Sequence, residues 1–352
     1  MWINNEIFRE DLEQLISLDF IEWDKFRGKT IFITGATGVI GFNIISALLY
    51  ADMKKFLNLK ILAFVRDIDK AMKKYDEHLK GSKGLEFLVG DIINLPEIEK
   101  DIDYIIHAAS PTASNFFIER PVETIKTAVI GTSNILDLAK KKKVKGVVYT
   151  SSMEVYGAPK TEDILSEGDL GYIDPLLVRN CYPESKRQCE ALCAAYASEY
   201  CIPVMSIRLA QTFGGGIEKD DSRVFAEFAR CLIEKKDIVL LTDGSSKRCY
   251  LYTMDAVSAI LTVLLKGQPG MAYNAANPKT YCSVKEMAKL VAETIGKNQV
   301  EVKVSENKEK SKKFSPPHFY NLGINRITRL GWYPSRELTE MYQRMIGISE
   351  NG

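Results

Sequence analysis

Apolar residues recur along the chain in two rhythms. Short runs of β-branched and aromatic residues, closed by glycine or charge, alternate with longer stretches whose apolar positions return every three to four residues. Residues 30–33, 60–65, 85–89, 104–110 and 146–150 read as five successive strands, the fourth running into a small-residue turn. Helical rhythm fills 42–50, two patterns between 118 and 143 that meet near Pro121, and a long pattern reaching Tyr200. Further helices are predicted at 224–232, 255–266 and 284–295, with a strand at 237–241 and a charged connection at 306–314. Ahead of them all, Leu12, Leu15, Ile16 and Leu18 predict a helix within 11–23, packed on the main body. Strand and helix in strict alternation predict a parallel sheet with helices on both faces.

Gly35, Gly38 and Gly41 follow the first strand at once and open the first helix. Glycine there tolerates positive φ and lets backbone approach a ligand, while free N–H groups at a helix start attract an anion. The natural occupant is a dinucleotide pyrophosphate, contacted by Gly35, Thr37, Gly38, Val39, Ile40 and Gly41. The spacing is one residue looser than the general dinucleotide fingerprint. The expected fold is therefore α/β, a Rossmann-type doubly wound parallel sheet with a smaller C-terminal substrate-binding lobe. Its expected divisions are a helical extension at 1–28, the dinucleotide domain at 29–208, and the substrate side at 209–352, parts of which return to the sheet. At the end of the second strand Arg66 favours the 2′-phosphate of NADP, and Asp67 beside it suits NAD. Asp91 and Ile92 are placed at the adenine, and Ala108, Ala109 and Ser110 form a turn where backbone passes close to the cofactor.

The fifth strand delivers Ser152 to the carboxyl edge of the sheet, where ligands bind. Tyr182 and Lys186 stand four apart, on one face of a helix. A phenol is a poor base at neutral pH, but a neighbouring ammonium favours the phenolate and makes the pair a general acid/base. Ser152 would orient the substrate oxygen, and Lys186 would also hold the cofactor ribose.

The ordered segments TGATGVIG, HAAS, SSMEVYG and YPESK resemble the extended short-chain dehydrogenase/reductase family, in its nucleotide-sugar epimerase and dehydratase branch. The resemblance covers roughly residues 29 to 340 and ends on an LGWxP-like stretch at 327–334. Within the branch, residues 107–136, the approach Arg179-Asn-Cys-Tyr182 and the segment Arg223-Val-Phe are most similar to UDP-glucuronate decarboxylases. It implies Ser152, Tyr182 and Lys186 as the catalytic triad. Residues 208–215 resemble the family's RxxNxxGP strand end. Residues 244–248, with Tyr252 and Asp255, resemble a segment that holds a nucleotide diphosphate, which makes Arg223 and Arg248 its candidate ligands through the planar guanidinium fork. Arg179 and Gln211 complete the substrate-binding set.

Departures from the pattern narrow the chemistry. Ala128 and Gln211 stand where the family usually has Asn, and Gly215 where it has Pro, so the pocket is not a standard hexose pocket and could suit an alditol. Met153 cannot donate the proton that a dehydratase needs, whereas Glu154 keeps one carboxylate for proton work beside an oxidised carbon. These features favour an NAD(P)-dependent epimerase acting through a transient ketone. The alternatives are uronate decarboxylation, 4,6-dehydration, keto-reduction, or a catalytically silent NAD(P)-sensing protein. The helical stretches 124–138 and 186–200 are expected to pair across a twofold axis, with Ala191, Ala194 and Ala195 permitting close approach in a homodimer.

Composition changes this picture only by exclusion. Of 352 residues, 47 are Lys or Arg and 46 Asp or Glu, so no global field selects nucleic acid or an anionic membrane. The run Lys140 to Lys143 suits a helix C-terminus. Seven cysteines without a CxxC pair predict reduced thiols in a cytoplasmic protein, and three scattered histidines offer no metal site. The first residues do not look like a signal peptide, and no stretch reaches the length of a membrane helix.

Overall fold

The computed structural model describes residues 5–75, 82–111, 114–305 and 317–350. Seven parallel strands form its central sheet: β1 (Thr30–Thr34), β2 (Lys60–Val65), β3 (Leu85–Val89), β4 (Tyr104–His107), β5 (Gly146–Ser152), β6 (Val204–Leu209) and β10 (Ala272–Ala275). Their spatial order is β10-β6-β5-β4-β1-β2-β3. Strand order reverses between β1 and β4, so the ligand crevice is expected at the carboxyl ends of those two strands. Covered by helices on both faces, β1, β4 and β5 are buried almost throughout, as their unbroken apolar runs require.

The helix Val39–Lys55 is buried from Gly41 to Ala51 because the sheet, the N-terminal helix and the helix Thr253–Lys266 enclose it. A four-stranded sheet carries the other side of the crevice. In it β9 (Lys247–Tyr252) pairs with β7 (Gln211–Phe213), β11 (Asn277–Ser283) and β13 (Phe319–Tyr320). A third sheet joins β8 (Ile238–Leu240) to β12 (Val302–Val304). β10 lies beyond residue 208 and still completes the central sheet.

Two predicted helices differ from those that form. The first helix is Glu6–Ile16 rather than a segment of 11–23: the Asn5 side chain caps it by accepting from Phe8 N at 3.1 Å, and the chain turns at Ser17. Phe8, Leu12 and Leu15 enter the core, and buried Asp11 accepts from Arg344 Nε at 2.8 Å and from the Tyr252 hydroxyl. The extension thereby fastens the C-terminal helix Leu338–Glu350 to the end of β9. The stretch 284–295 is an α-helix only over Val284–Lys289, continuing as a π-helix over Leu290–Ile295. The charged connection at 306–314 falls outside the described residues.

Candidate active site

The dinucleotide loop is built by backbone contact. Gly35 leaves β1 with φ +69°, and a Cβ there would lie 2.5 Å from the Ala108 carbonyl oxygen. At Gly41 a Cβ would come within 2.3 Å of the Gly35 carbonyl oxygen. Only glycine lets these three segments close on one another. Gly38 caps the helix Val39–Lys55 without a side chain, so the first amides, near half-buried Thr37, Val39 and Ile40, are left for an anion. Half-buried Ala108, Ala109 and Ser110 line the facing turn with little bulk. These residues fit the pyrophosphate and ribose of a dinucleotide.

At the end of β2, Asp67 is committed to capping the helix Ile68–Lys74, accepting from Lys70 N at 2.9 Å. Arg66 extends into solvent, its guanidinium 4.0 Å from Glu123. Asp91 folds back on its own loop, accepting from Ile93 N at 2.8 Å, and Ile92 is buried against Gly131.

Ser152, Tyr182 and Lys186 converge as expected, and β5 and the helix Cys181–Tyr200 hold them. Lys186 Nζ is buried and donates to Thr150 O at 2.7 Å, with the Tyr182 ring centre 5.6 Å away. Burial pulls its amino group down to about 8. The expectation that this ammonium would lower the Tyr182 phenol is not met. Burial pushes the phenol above its ordinary range and the Glu154 charge adds to that; a hydrogen bond with Ser152 and the charges of Arg179 and Arg223 oppose without prevailing. Phe117 stacks on the Tyr182 ring, centres 4.3 Å apart and planes 9° from parallel, and excludes water from that face.

Glu154 is not a free carboxylate: Arg179 Nη2 donates to its Oε2 at 2.9 Å. Met153 is buried in the main core, away from any proton work. Behind the triad, Arg208 grips Glu190 with three hydrogen bonds, and the Ser151 hydroxyl donates to the same carboxylate at 2.6 Å. This pair ties β5 and β6 to the helix that carries Tyr182 and Lys186.

The substrate-side candidates divide. Arg223 lies near enough for its charge to act on Tyr182, but its guanidinium holds Asp221 through two nitrogens. Arg248 reaches His318, Nη2 to Nε2 3.3 Å, while its buried Nε has no hydrogen-bond partner among the described residues. Gln211 is half-buried at the start of β7, beside Tyr250 of β9. Tyr252 and Asp255 are not available to a diphosphate: Tyr252 bonds Asp11, and Asp255 accepts from Ser335 N and Oγ and Arg336 N. The sequence had not pointed to Tyr320, which donates to Gly157 O at 2.6 Å and is close enough to feel the charges of Glu154, Arg248 and Arg179. No local pattern marks it, because only the pairing of β13 with β9 brings it there.

A parallel sheet with a glycine-lined switch point and a Ser-Tyr-Lys group at its carboxyl edge defines a dinucleotide-binding protein of the short-chain dehydrogenase type. The chain belongs to the NAD dependent epimerase/dehydratase family, whose model matches residues 31–276. It is 32% identical over 314 residues to UDP-glucuronic acid decarboxylase 6 of Arabidopsis thaliana, covering 88% of this chain and 85% of that protein. To UDP-glucuronic acid decarboxylase 1 of Xenopus tropicalis it is 29% identical over 268 residues, 76% of this chain but only 61% of that longer protein. Among solved structures it resembles a UDP-glucuronic acid 4-epimerase from Bacillus cereus, in complex with UDP-glucuronic acid and NAD. The TM-score is 0.75 at 21% identity, over 92% of this chain and 100% of that one. A dTDP-glucose 4,6-dehydratase from Bacillus anthracis, in complex with NAD, gives 0.72 at 22% identity, over 92% and 97%. No helix among the described residues is long and apolar enough to cross a membrane.

Proposed function

We propose that this chain is an NAD(P)-dependent epimerase that acts on a nucleotide-diphosphate-linked sugar or polyol through a transient ketone. The observation that carries the reading is a single carboxylate, Glu154, held beside Tyr182 while Met153 is turned into the core. A bound oxidised nicotinamide supplies a hydride acceptor and a positive charge. Ser152 orients the sugar hydroxyl, and Tyr182 takes its proton once a positive charge in the site offsets the cost of the phenolate. Glu154 would then remove the proton from the carbon next to the ketone, and a proton drawn from solvent on the opposite face would invert that centre. Tyr182 would give its proton back to the carbonyl oxygen as the alcohol is restored.

Arg179, Gln211, Arg223 and Arg248 are the proposed substrate contacts, with Arg223 and Arg248 serving the diphosphate. Solvent-directed Arg66 favours NADP, since Asp67 is used as a cap. Exposed Ala191, Ala194 and Ala195, with exposed Val122, Ile125 and Ile130 on the neighbouring helix, support a homodimer. Seven unbridged cysteines support a cytoplasmic setting.

Decarboxylation of a nucleotide-linked uronate is the second reading, favoured by the likeness to proteins named UDP-glucuronic acid decarboxylase. Mass spectrometry of nucleotide sugars and nucleotide alditols incubated with the protein in deuterated water separates the readings. A product with one carbon-bound deuterium and no other mass change is expected. Loss of carbon dioxide would establish the second reading, loss of water a dehydratase, and gain of two hydrogens a reductase. Cofactor binding without turnover on any member would favour the sensing protein.

A further inference from the structure

His107 looks inert in the sequence, one of three scattered histidines, and it is 1% exposed in the fold. Its surroundings fix its proton. The Thr34 hydroxyl oxygen accepts from two backbone amides, Ala108 N and Ala109 N, each at 3.2 Å. Both lone pairs are thereby used. The hydroxyl hydrogen must go to His107 Nδ1, 2.8 Å away, so that nitrogen is an acceptor and the proton of the neutral ring sits on Nε2. Nε2–H donates to Thr132 Oγ1 at 3.1 Å, Thr132 donates to Cys189 Sγ at 3.3 Å, and the Cys189 thiol donates to Ala128 O at 3.3 Å.

Every side chain in this one-directional relay is buried, Thr34 and Cys189 completely. Its start lies where β1 becomes the glycine loop, and its amide contacts hold the turn that packs on Gly35. From His107 it crosses to Thr132 on the helix Pro121–Lys142, reaches Cys189 on the helix of Lys186, one turn beyond that lysine, and ends at Ala128 O on the helix of Thr132. Burial, with the Lys186 charge nearby, holds His107 neutral by pushing it down to about 3. Tyr149 also faces it, ring centres 5.5 Å apart.

We propose that His107, locked with its proton on Nε2, is the positioning residue that sets the helix of Lys186 against the dinucleotide loop. An uncharged, doubly bonded imidazole joins Thr34 of the loop to Thr132, which hands the link on to Cys189 of the Lys186 helix, with a fixed polarity that a hydroxyl or a cation could not give.

The test needs no sugar substrate and so stands apart from the epimerase reading. Nitrogen NMR of the histidines, assigned by removing each in turn, should show one ring bare at Nδ1, protonated at Nε2 and unchanged between about pH 5 and 8. In parallel, the dissociation constant of NADH or NADPH, whichever the protein binds more tightly, is measured by fluorescence. Thr132→Val should weaken binding about tenfold, because it leaves a buried N–H unpaired, and Thr132→Ser should restore it. If Thr132→Val does not fold, Cys189→Ala against Cys189→Ser reads the next link of the same relay. A ring that titrates in that range, a proton on Nδ1, or wild-type binding in the cut relay would overturn the proposal.

Discussion

The crevice has two walls, and they were built by different means. On the dinucleotide wall, Gly35, Gly38, Gly41, Ala108 and Ser152 all sit at a strand end or helix start, so a short stretch of sequence fixes both the residue and its place. On the sugar wall, Arg223 is paired with Asp221, Arg248 leans on His318, and Tyr252 and Asp255 are absorbed into packing with the N-terminal and C-terminal segments. A motif that is read within one βα unit survives transfer between relatives, because the sheet dictates its geometry. A motif whose partners arrive from distant segments keeps its letters while its side chains are put to other uses.

The sharpest way to break this contrast is Tyr182→Phe. It should lower turnover by about 10³-fold or more and leave cofactor bound; turnover near wild type in a product assay would remove Tyr182 from the chemistry. Next in size is Glu190→Gln, which strands the Arg208 charge in a site where the two side chains are 4% and 13% exposed. A loss of about 3–5 kcal/mol is expected in denaturant unfolding, and an unchanged midpoint would mean that the pair does not hold the two strands to the helix.

The pH dependence of cofactor binding should be gentler. With its amino group at about 8, Lys186 is an ammonium below that pH and a neutral amine above it, so affinity for the cofactor ribose should fall as pH rises through 8. Lys186→Met should bind more weakly throughout and lose that limb; a limb that persists belongs to another group. The smallest effect is expected from Arg66→Asp, a shift of about tenfold in preference from NADP towards NAD. Equal affinities before and after would show that Arg66 does not discriminate.

Legibility followed the same division. Strands β2 and β3 could be placed to the residue: β2 is an apolar run covered on both faces, and β3, a half-exposed edge strand, is bounded by glycine at each end. The clustering of Ser152, Tyr182 and Lys186 was legible because a four-residue spacing on a helix and a strand end are local features. The N-terminal helix was misplaced because its cap, Asn5, lies ahead of the apolar rhythm. Electrostatic tuning was the least legible feature: spacing announced Lys186 next to Tyr182, but burial and Glu154 dominate the phenol. Tyr320 was invisible because a two-residue strand has no periodicity, and His107 because a lone buried histidine shows its purpose only through its partners.

In the proposed reaction Tyr182 and Lys186 would assist oxidation of a nucleotide-linked sugar by a bound nicotinamide, and Glu154 would then move a proton on the product. The most direct measurement is the absorbance of reduced nicotinamide in Glu154→Gln mixed with substrate in deuterated water, followed by mass analysis of the sugar. Reduced cofactor should build up beyond the wild-type level, with the keto sugar held and no deuterium on carbon. Deuterated product formed at the wild-type rate, with no build-up, would contradict the account and return Glu154 to the role of Arg179's structural partner.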